Sequence, residues 1–177
     1  SITAFENLLS TAERRMLISG ETETSLRMVD FLGIISSING KIELVYEGEQ
    51  EGAEQISYYL ISQAVKTLFP NYFPEVKKLE KEDEEGPYDS ILGWFFKDNE
   101  LFLDDTLNDK EYKKLLDKLP GVDAIIKAYQ PDCSLEDRYF LIEFLLWGLE
   151  AHKKLNKYRT LEGFQFKDTL GSYISRL

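Results

Sequence analysis

Residues 135–155 read LEDRYFLIEFLLWGLEAHKKL, a stretch that is apolar around nearly its whole circumference when it is wound as a helix. Ser134 precedes the stretch, and Asp137 follows three positions later, a spacing that resembles a capping box at a helix N-terminus. A helix that is apolar on all sides has no face to turn to water, so other elements must surround it. The sequence therefore predicts a central helix over 135–155 in the second half of the chain.

Helical periodicity also dominates the first half of the chain. Apolar residues recur at steps of three and four positions in three segments, each followed by residues that commonly end helices. The first segment ends at Gly20, the second runs from Thr24 or Ser25 to Asn39-Gly40, and the third runs from Ala53 to just before Pro70. A further helix is predicted from Asn108 to Leu119. We therefore expect a mainly α fold, built as a multi-helix bundle.

Residues 41–47 follow a different pattern, between the second and third predicted helices. Ile42, Leu44 and Tyr46 alternate with charged residues at a period of two, although Val45 interrupts the alternation. This pattern predicts one short strand or extended arm over 41–47 in an otherwise helical fold.

A charged run, EKEDEEGP at residues 80–87, separates the two halves of the chain. The run lacks apolar residues and closes with Gly-Pro, so it cannot contribute to a hydrophobic core and is typical of a linker. We place an acidic linker at 81–87. It divides the chain into a helical region, 1–80, and a C-terminal helical module, 88–177, whose role the sequence does not specify.

The charge balance excludes several functional classes. The 177 residues include 32 acidic and 21 basic ones, which gives a formal net charge of −11. The resulting field repels phosphate backbones, so nucleic acid is not an expected partner. No apolar run approaches the roughly 20 residues that a membrane helix needs, and we expect no leader segment. We expect a cytoplasmic protein without membrane contact.

Residues that commonly carry out catalysis are few. The chain has one histidine, His152, and one cysteine, Cys133, so no intrachain disulfide can form. The phosphate-binding pattern G-x-x-x-x-G-K-[ST] and the serine-hydrolase pattern G-x-S-x-G are both absent. We expect His152 to lie near a helix C-terminus and Cys133 to be an unreactive thiol.

One cluster of carboxylates leaves two interpretations open. Glu43, Glu47, Glu49 and Glu51 lie close together in the sequence, and carboxylate oxygens are ligands that Mg²⁺ and Ca²⁺ prefer. Their spacing matches no known metal-binding loop, and acidic residues before a helix are also stabilised by the positive end of its dipole. The cluster is therefore either a divalent-metal site or a charged turn before the third helix.

Arg27 is the other candidate for a binding residue. If Thr24 caps the second helix, Arg27 lies in the first turn, where a cation faces the positive end of the helix dipole. A residue in a locally unfavourable position can serve elsewhere, and the planar guanidinium suits an external phosphate or carboxylate. The alternative is that the aliphatic stem of Arg27 simply covers the core.

Two segments carry a family resemblance: FENLLSTAERRMLISGE at residues 5–21 and SLRMVDFLGIISSINGKIELVYEGEQEGAEQISYYLISQAVKTLF at residues 25–69. The most specific motifs are R-x-x-D-F, I-N-G-K-I-E-L and Y-E-G-E-x-x-G-A-E, in that order. Over about residues 4–69, the chain resembles the region that follows the nucleotide-binding core in bacterial magnesium chelatase-like AAA+ ATPases.

The resemblance implies that the first two helices belong to the helical lid that closes over nucleotide. It also implies that Arg27 occupies the position of an arginine that senses the γ-phosphate. The Walker-A loop and Walker-B strand of the family are missing, so the chain is not expected to hydrolyse ATP on its own. ATP and Mg²⁺ would bind to the parent protein. The implied partners are the missing AAA+ core, neighbouring subunits of an oligomer and an unidentified protein client.

The expected function is thus a non-catalytic lid and interaction region that couples ATP binding in the parent protein to subunit or client contacts. The family name does not imply insertion of magnesium into a porphyrin, because relatives also serve as chaperone-like remodelling machines. The alternative is a free-standing acidic protein, either with a divalent-metal site at Glu43, Glu47, Glu49 and Glu51 or with an adaptor role.

Overall fold

The apolar segment that begins at Leu135 forms a long helix at the centre of the protein. The computed structural model describes residues 2–38, 52–76 and 86–169. Within these ranges the fold is mainly α, as predicted, with seven α-helices, two 3₁₀ helices and a three-stranded sheet. In chain order the elements are α1 (Ile2–Ser19), a first 3₁₀ helix (Met28–Ile34), α2 (Ile35–Ile38), α3 (Ala53–Leu68), a second 3₁₀ helix (Phe69–Asn71), α4 (Asp89–Phe96), β1 (Leu101–Asp104), α5 (Asp109–Leu116), α6 (Val122–Tyr129), α7 (Leu135–Ala151), β2 (Leu155–Arg159) and β3 (Gly163–Asp168).

Helix α7 is the element against which α3, α5, α6 and the first 3₁₀ helix pack. Ten of its seventeen residues are buried, and α3, α5, α6 and β2 all contact it. The predicted cap at Ser134 is confirmed, since its hydroxyl accepts a hydrogen bond from the backbone N–H of Asp137. The predicted end at Leu155 is wrong. Lys153 adopts a left-handed conformation, with a φ of 61°, and the chain then continues into β2.

The first and third predicted helices are confirmed. Helix α1 ends one residue before Gly20, whose φ of 73° is the left-handed conformation that ends many helices. Helix α3 ends where the periodicity indicates, just before Pro70. The helix predicted from Asn108 to Leu119 is also present, as α5. Asn108 is its N-cap, and the helix ends at Leu116 rather than Leu119.

The second predicted helix forms differently. Residues 24–27 are not helical, and a 3₁₀ helix rather than an α-helix follows them. Arg27 is extended, and the carboxylate of Asp30 accepts a hydrogen bond from its N–H at 2.8 Å, which caps the 3₁₀ helix. Thr24, the predicted cap, instead accepts a hydrogen bond from Arg15. Side-chain hydrogen bonds therefore override helical periodicity in this segment.

A three-stranded sheet that the sequence analysis did not predict packs against α7. Strand β3 lies between β1 and β2 and is antiparallel to both. Phe164 and Phe166 alternate along β3 and are buried, and the Phe164 ring lies 5.0 Å from that of Trp147 in α7. The predicted C-terminal module of helices therefore also contains a small sheet.

The two regions on either side of the predicted linker share one hydrophobic core. Phe69, from the region before the linker, packs against Phe144 and Tyr88 from the region after it, with ring centroids 6.0 and 6.1 Å apart. The second region thus packs directly against the first.

Two predicted segments fall beyond the part of the chain that the structure describes. The strand or arm over 41–47 lies outside the described residues, as does the acidic linker apart from Gly86 and Pro87. Within the described ranges, no helix combines the length and the apolar character that crossing a membrane requires.

Gly148 allows α7 to lie close to Phe69. A Cβ atom at position 148 would overlap the Phe69 ring, which is fully buried. We therefore expect Gly148→Ala to lower the free energy of unfolding by about 1–3 kcal/mol, because the core must move to admit the methyl group. Urea denaturation of the variant and the unmodified protein measures the difference.

Gly93→Ala is the matched control. Gly93 lies inside α4, and a Cβ atom there would meet no other atom within 4 Å. Alanine is a better helix former than glycine by roughly 0.5–1 kcal/mol, so this variant should be more stable than the unmodified protein. Equal gains in stability for the two variants would contradict the close contact between α7 and Phe69.

Candidate functional site

Arg27, the residue predicted to bind an anion, is buried. Only 2% of its surface is exposed, and its guanidinium lies over the Tyr112 ring of α5, with Cζ 4.1 Å from the ring centroid. Its Nη1 donates a hydrogen bond to the carbonyl oxygen of Leu107 at 2.8 Å. Nε and Nη2 have no hydrogen-bond partner among the described residues. The side chain thus joins the first 3₁₀ helix to α5 and to the loop before it.

A buried ion pair lies beside Arg27. Asp30 accepts hydrogen bonds from Nε and Nη2 of Arg15 at 3.0 and 2.8 Å, and both side chains are almost inaccessible to solvent. Nη2 of Arg15 also donates to the carbonyl oxygen of Ser25. A carboxylate shielded from water must be paired in this way, because burying an isolated charge is costly. The ion pair fixes α1 to the first 3₁₀ helix.

Glu143 of α7 approaches Arg27 and Asp30 from the centre of the fold. Its Oε2 atom accepts hydrogen bonds from the backbone N–H of Met28 at 2.8 Å and from the hydroxyl of Tyr112 at 2.7 Å. Burial raises the pKa of Glu143, against the effect of these two hydrogen bonds and of the Arg27 charge. Burial and the neighbouring Glu143 carboxylate also hold the pKa of Tyr112 well above its ordinary value.

Arg15, Arg27, Asp30, Tyr112 and Glu143 together form what we call the arginine cluster, which connects α1, the first 3₁₀ helix, α5 and α7. Burial and the nearby Arg15 charge lower the pKa of Arg27. In this conformation Arg27 is a structural link. Contact with an outside phosphate would require its guanidinium to leave the Tyr112 ring, and the nucleotide-sensing role stays a prediction.

The carboxylates considered as metal ligands, Glu43, Glu47, Glu49 and Glu51, lie outside the described residues. Across residues 2–38, 52–76 and 86–169, no group of three or more histidine, cysteine, aspartate or glutamate side chains is arranged to hold a metal ion. For the four glutamates, the choice between a metal site and a charged turn therefore stays open.

His152, the single histidine, lies at the C-terminal end of α7, as predicted. Its ring packs against Phe69, with ring centroids 5.5 Å apart. Burial and the charge of Lys66 lower the pKa of His152 from its ordinary value of 6.5, so the ring is neutral at pH 7. The neutral ring, tilted by 56° relative to that of Phe69, contributes to the packing of the core.

An apolar groove, which the sequence analysis did not find, lies between α3 and α7. Its volume is about 860 Å³, and it is open to solvent. Its walls come from the first 3₁₀ helix, α3, the α6–α7 loop and α7, which are distant in sequence, so no single motif predicts it. The lining residues are Met28, Phe31, Ile34, Ile61, Ala64, Val65, Leu68, Tyr72, residues 129–133, Asp137, Phe140, Leu141 and Phe144.

Helix α1 turns a second apolar surface outward. Ile2, Phe5 and Leu9 fall on one side of the helix and are 78%, 59% and 39% exposed; we call these three residues the α1 stripe. A neighbouring face is held in place by polar contacts, since Asn7 donates to hydroxyls of α2 and Arg15 pairs with the first 3₁₀ helix. Helix α1 is thus attached through these polar contacts and through the buried side chains of Leu8 and Ala12. Besides the α1 stripe, Leu17 and Ile18 near the end of the helix are also exposed.

Comparison of the chain with protein-family models, with curated proteins and with solved structures finds no match. Interpretation of function therefore rests on the sequence motifs together with the arginine cluster, the groove and the α1 stripe.

Glu143→Gln should change how the stability of the protein depends on pH. The unfolded chain releases the Glu143 proton near the ordinary pKa of 4.5, whereas the folded protein retains this proton to a higher pH. The contribution of Glu143 to the free energy of unfolding therefore falls as the pH rises above 4.5 toward the raised pKa. Glutamine keeps a carbonyl oxygen that can accept both hydrogen bonds, and it does not ionise.

We therefore expect the stability of Glu143→Gln, relative to the unmodified protein, to increase as the pH is raised from 4.5 to about 8. Urea denaturation at several pH values measures this difference. Glu136→Gln, at an exposed position of the same helix, is the control and should show little trend. A difference that stays constant with pH would mean that burial does not disfavour the ionised form of Glu143.

Proposed function

We propose that this chain is the non-catalytic lid and interaction region of a magnesium chelatase-like AAA+ ATPase. ATP and Mg²⁺ bind to a nucleotide-binding core elsewhere in the cytoplasmic parent protein, and the chain couples that binding to contacts with neighbouring subunits or a protein client. The resemblance over residues 4–69 supports the proposal. The α1 stripe is the structural observation that carries it.

The α1 stripe has the chemistry of a surface that packs against another protein. Large apolar side chains grouped on one side of an exposed helix are typical of contact sites, because burying them is favourable by roughly 25 cal/mol per Å². Phe5 and Leu9 both belong to the segment that resembles the AAA+ lid. In the proposed arrangement, the surface that covers them is the nucleotide-binding core over which the lid closes.

The arginine cluster supports the coupling part of the proposal. Asp30 and Arg15 hold α1 against the first 3₁₀ helix, and Arg27 and Glu143 connect that helix to α5 and α7. Charged hydrogen bonds with buried partners resist bending, so α1 and the central helix would move together when the lid closes. A displacement of the α1 stripe would then also displace α7, at the centre of the fold.

The reading frame upstream of Ser1 provides the first test. The proposal requires a G-x-x-x-x-G-K-[ST] loop roughly 200 to 300 residues earlier, the distance that the core and part of the lid would occupy. Sequencing of the gene shows whether this loop is present. A start codon directly before this chain would remove the ATPase proposal and favour the metal-binding or adaptor alternative.

A double variant, Phe5→Ser with Leu9→Ser, tests the α1 stripe in the full-length protein. We expect ATP turnover to fall at least about tenfold, because two large apolar side chains are lost from the contact with the core. Steady-state ATP hydrolysis measures the effect. In this chain alone, urea denaturation should show a loss of only about 1 kcal/mol, since Phe5 is 59% and Leu9 39% exposed and serine is a somewhat poorer helix former.

Arg14→Ser is the control for this experiment, because Arg14 is exposed on the same helix away from the α1 stripe. It should leave ATP turnover nearly unchanged. Turnover that is equally high in the double variant and the control would show that the α1 stripe does not contact the nucleotide-binding core.

A further inference from the structure

The groove between α3 and α7 combines apolar walls with an acidic edge. Its charged lining residues, within the part of the chain that the structure describes, are Asp132 and Asp137, and neither lysine, arginine nor histidine lines it. Both aspartates lie where the α6–α7 loop enters α7. The groove is therefore apolar along most of its surface and negatively charged at one place.

We propose that this groove binds an amphipathic helix of a partner protein, with large apolar side chains on one face and a lysine or arginine that meets Asp132 and Asp137. The groove and the α1 stripe consist of different residues. The inference therefore stands whether or not the chain belongs to an AAA+ ATPase.

The spacing of the lining residues on α3 suits a helical partner. Ile61, Ala64, Val65 and Leu68 line the groove at positions i, i+3, i+4 and i+7, so one face of α3 forms its wall over about 10 Å. A partner helix lying along this wall would present side chains with the same spacing, which is four positions over that length. The wall thus matches two turns of a partner helix.

The rim of the groove favours a helix over a small apolar molecule. Leu68, Tyr72 and Tyr129 stand at the edge and are 47%, 42% and 44% exposed. A small molecule within the groove would leave these three side chains in water. A helix, whose diameter with side chains is about 10–12 Å, would cover the rim together with the interior.

Charge favours a basic partner. Asp132 has no hydrogen bond or ion pair within the described ranges, and Asp137 accepts a hydrogen bond from the hydroxyl of Ser134 at 2.8 Å. The net charge of −11 repels acidic partners and anionic membranes. Complementary charge would guide a basic helix to this surface and select against an acidic one.

Two synthetic peptides test the proposal. Each has about 18 residues, long enough to form a helix on binding, with leucines spaced to form one apolar face. The Lys peptide carries lysines at both ends, and the Glu peptide carries glutamates there. Fluorescence anisotropy should show that the Lys peptide binds at least about fivefold more tightly than the Glu peptide at low salt, with the preference shrinking as salt is added.

Ala64→Arg tests the location of binding. Ala64 is exposed on α3 and lines the groove, so an arginine there would occupy the groove and repel the lysines. Binding of the Lys peptide should weaken at least about tenfold. Ala124→Arg, at an exposed position of α6 outside the groove lining, adds the same charge and should leave binding unchanged.

Asp132→Asn tests the charge, with Asp98→Asn as the control that removes one carboxylate elsewhere. Asp132→Asn should weaken binding of the Lys peptide about two- to fivefold, as expected for an exposed ion pair, and Asp98→Asn should have no effect.

Cys133 gives an independent readout, because it is the single cysteine and lines the groove. The bound Lys peptide should slow its alkylation by N-ethylmaleimide.

Five results would overturn the proposal. The Lys peptide fails to bind, or binds equally to Ala64→Arg and Ala124→Arg. The Glu peptide binds as tightly as the Lys peptide. Sedimentation reveals a dimer of this chain that Ala64→Arg abolishes, which would assign the groove to a second copy. Dodecylamine protects Cys133 from alkylation while the Lys peptide does not, which would assign the groove to a small apolar amine.

Discussion

The pairing of the Asp30 carboxylate is the constraint on which the first half of the protein depends. Asp30 has no exposed surface, and a charge in that position is tolerated only when donors surround it. Arg15 supplies two hydrogen bonds and the backbone N–H of Arg27 supplies a third. Helix α1 must therefore lie across the first 3₁₀ helix, and Arg27 must be extended. The close approach of α1 also requires Gly33, because a Cβ atom there would overlap the Thr11 side chain.

The first 3₁₀ helix consequently contacts both α1 and the groove. Through Asp30 it is bonded to α1, which carries the exposed stripe, while Met28 and Phe31 face the groove that α3 and α7 complete. Glu143 holds the start of the same helix against α7 through the N–H of Met28. A single short element thus separates the two surfaces for which we propose partners. Any rigid displacement of α1 would change the shape of the groove wall, so occupation of one surface could influence the other.

Sequence patterns predicted the helices whose start and end depend on nearby residues. They did not predict the elements whose conformation depends on residues distant in the sequence. Periodicity and caps identified α1, α3, α5 and the central helix, because apolar spacing and residues such as Ser134 act within a few positions. The first 3₁₀ helix was missed because its conformation depends on Arg15, a residue of another helix. The hairpin of β2 and β3 was missed although Phe164 and Phe166 alternate, since strands of five and six residues give a weak signal. The groove could not be predicted at all, because four separate segments build it.

The Arg27 side chain can either contribute to the core or bind an anion, but it cannot do both in one conformation. Its stacking on Tyr112 and its hydrogen bond to Leu107 are each worth about 2 kcal/mol in a desolvated site. Against this, Nε and Nη2 have no partner among the described residues, and a buried unpaired donor costs about 1–3 kcal/mol. The stabilisation by Tyr112 and Leu107 is therefore similar in size to the cost of the two unpaired donors. The guanidinium is consequently held less firmly than its burial suggests. Nε and Nη2 are also a pair of neighbouring donors, an arrangement that suits two oxygens of a phosphate or carboxylate. An anion would therefore satisfy both donors if the guanidinium left the Tyr112 ring.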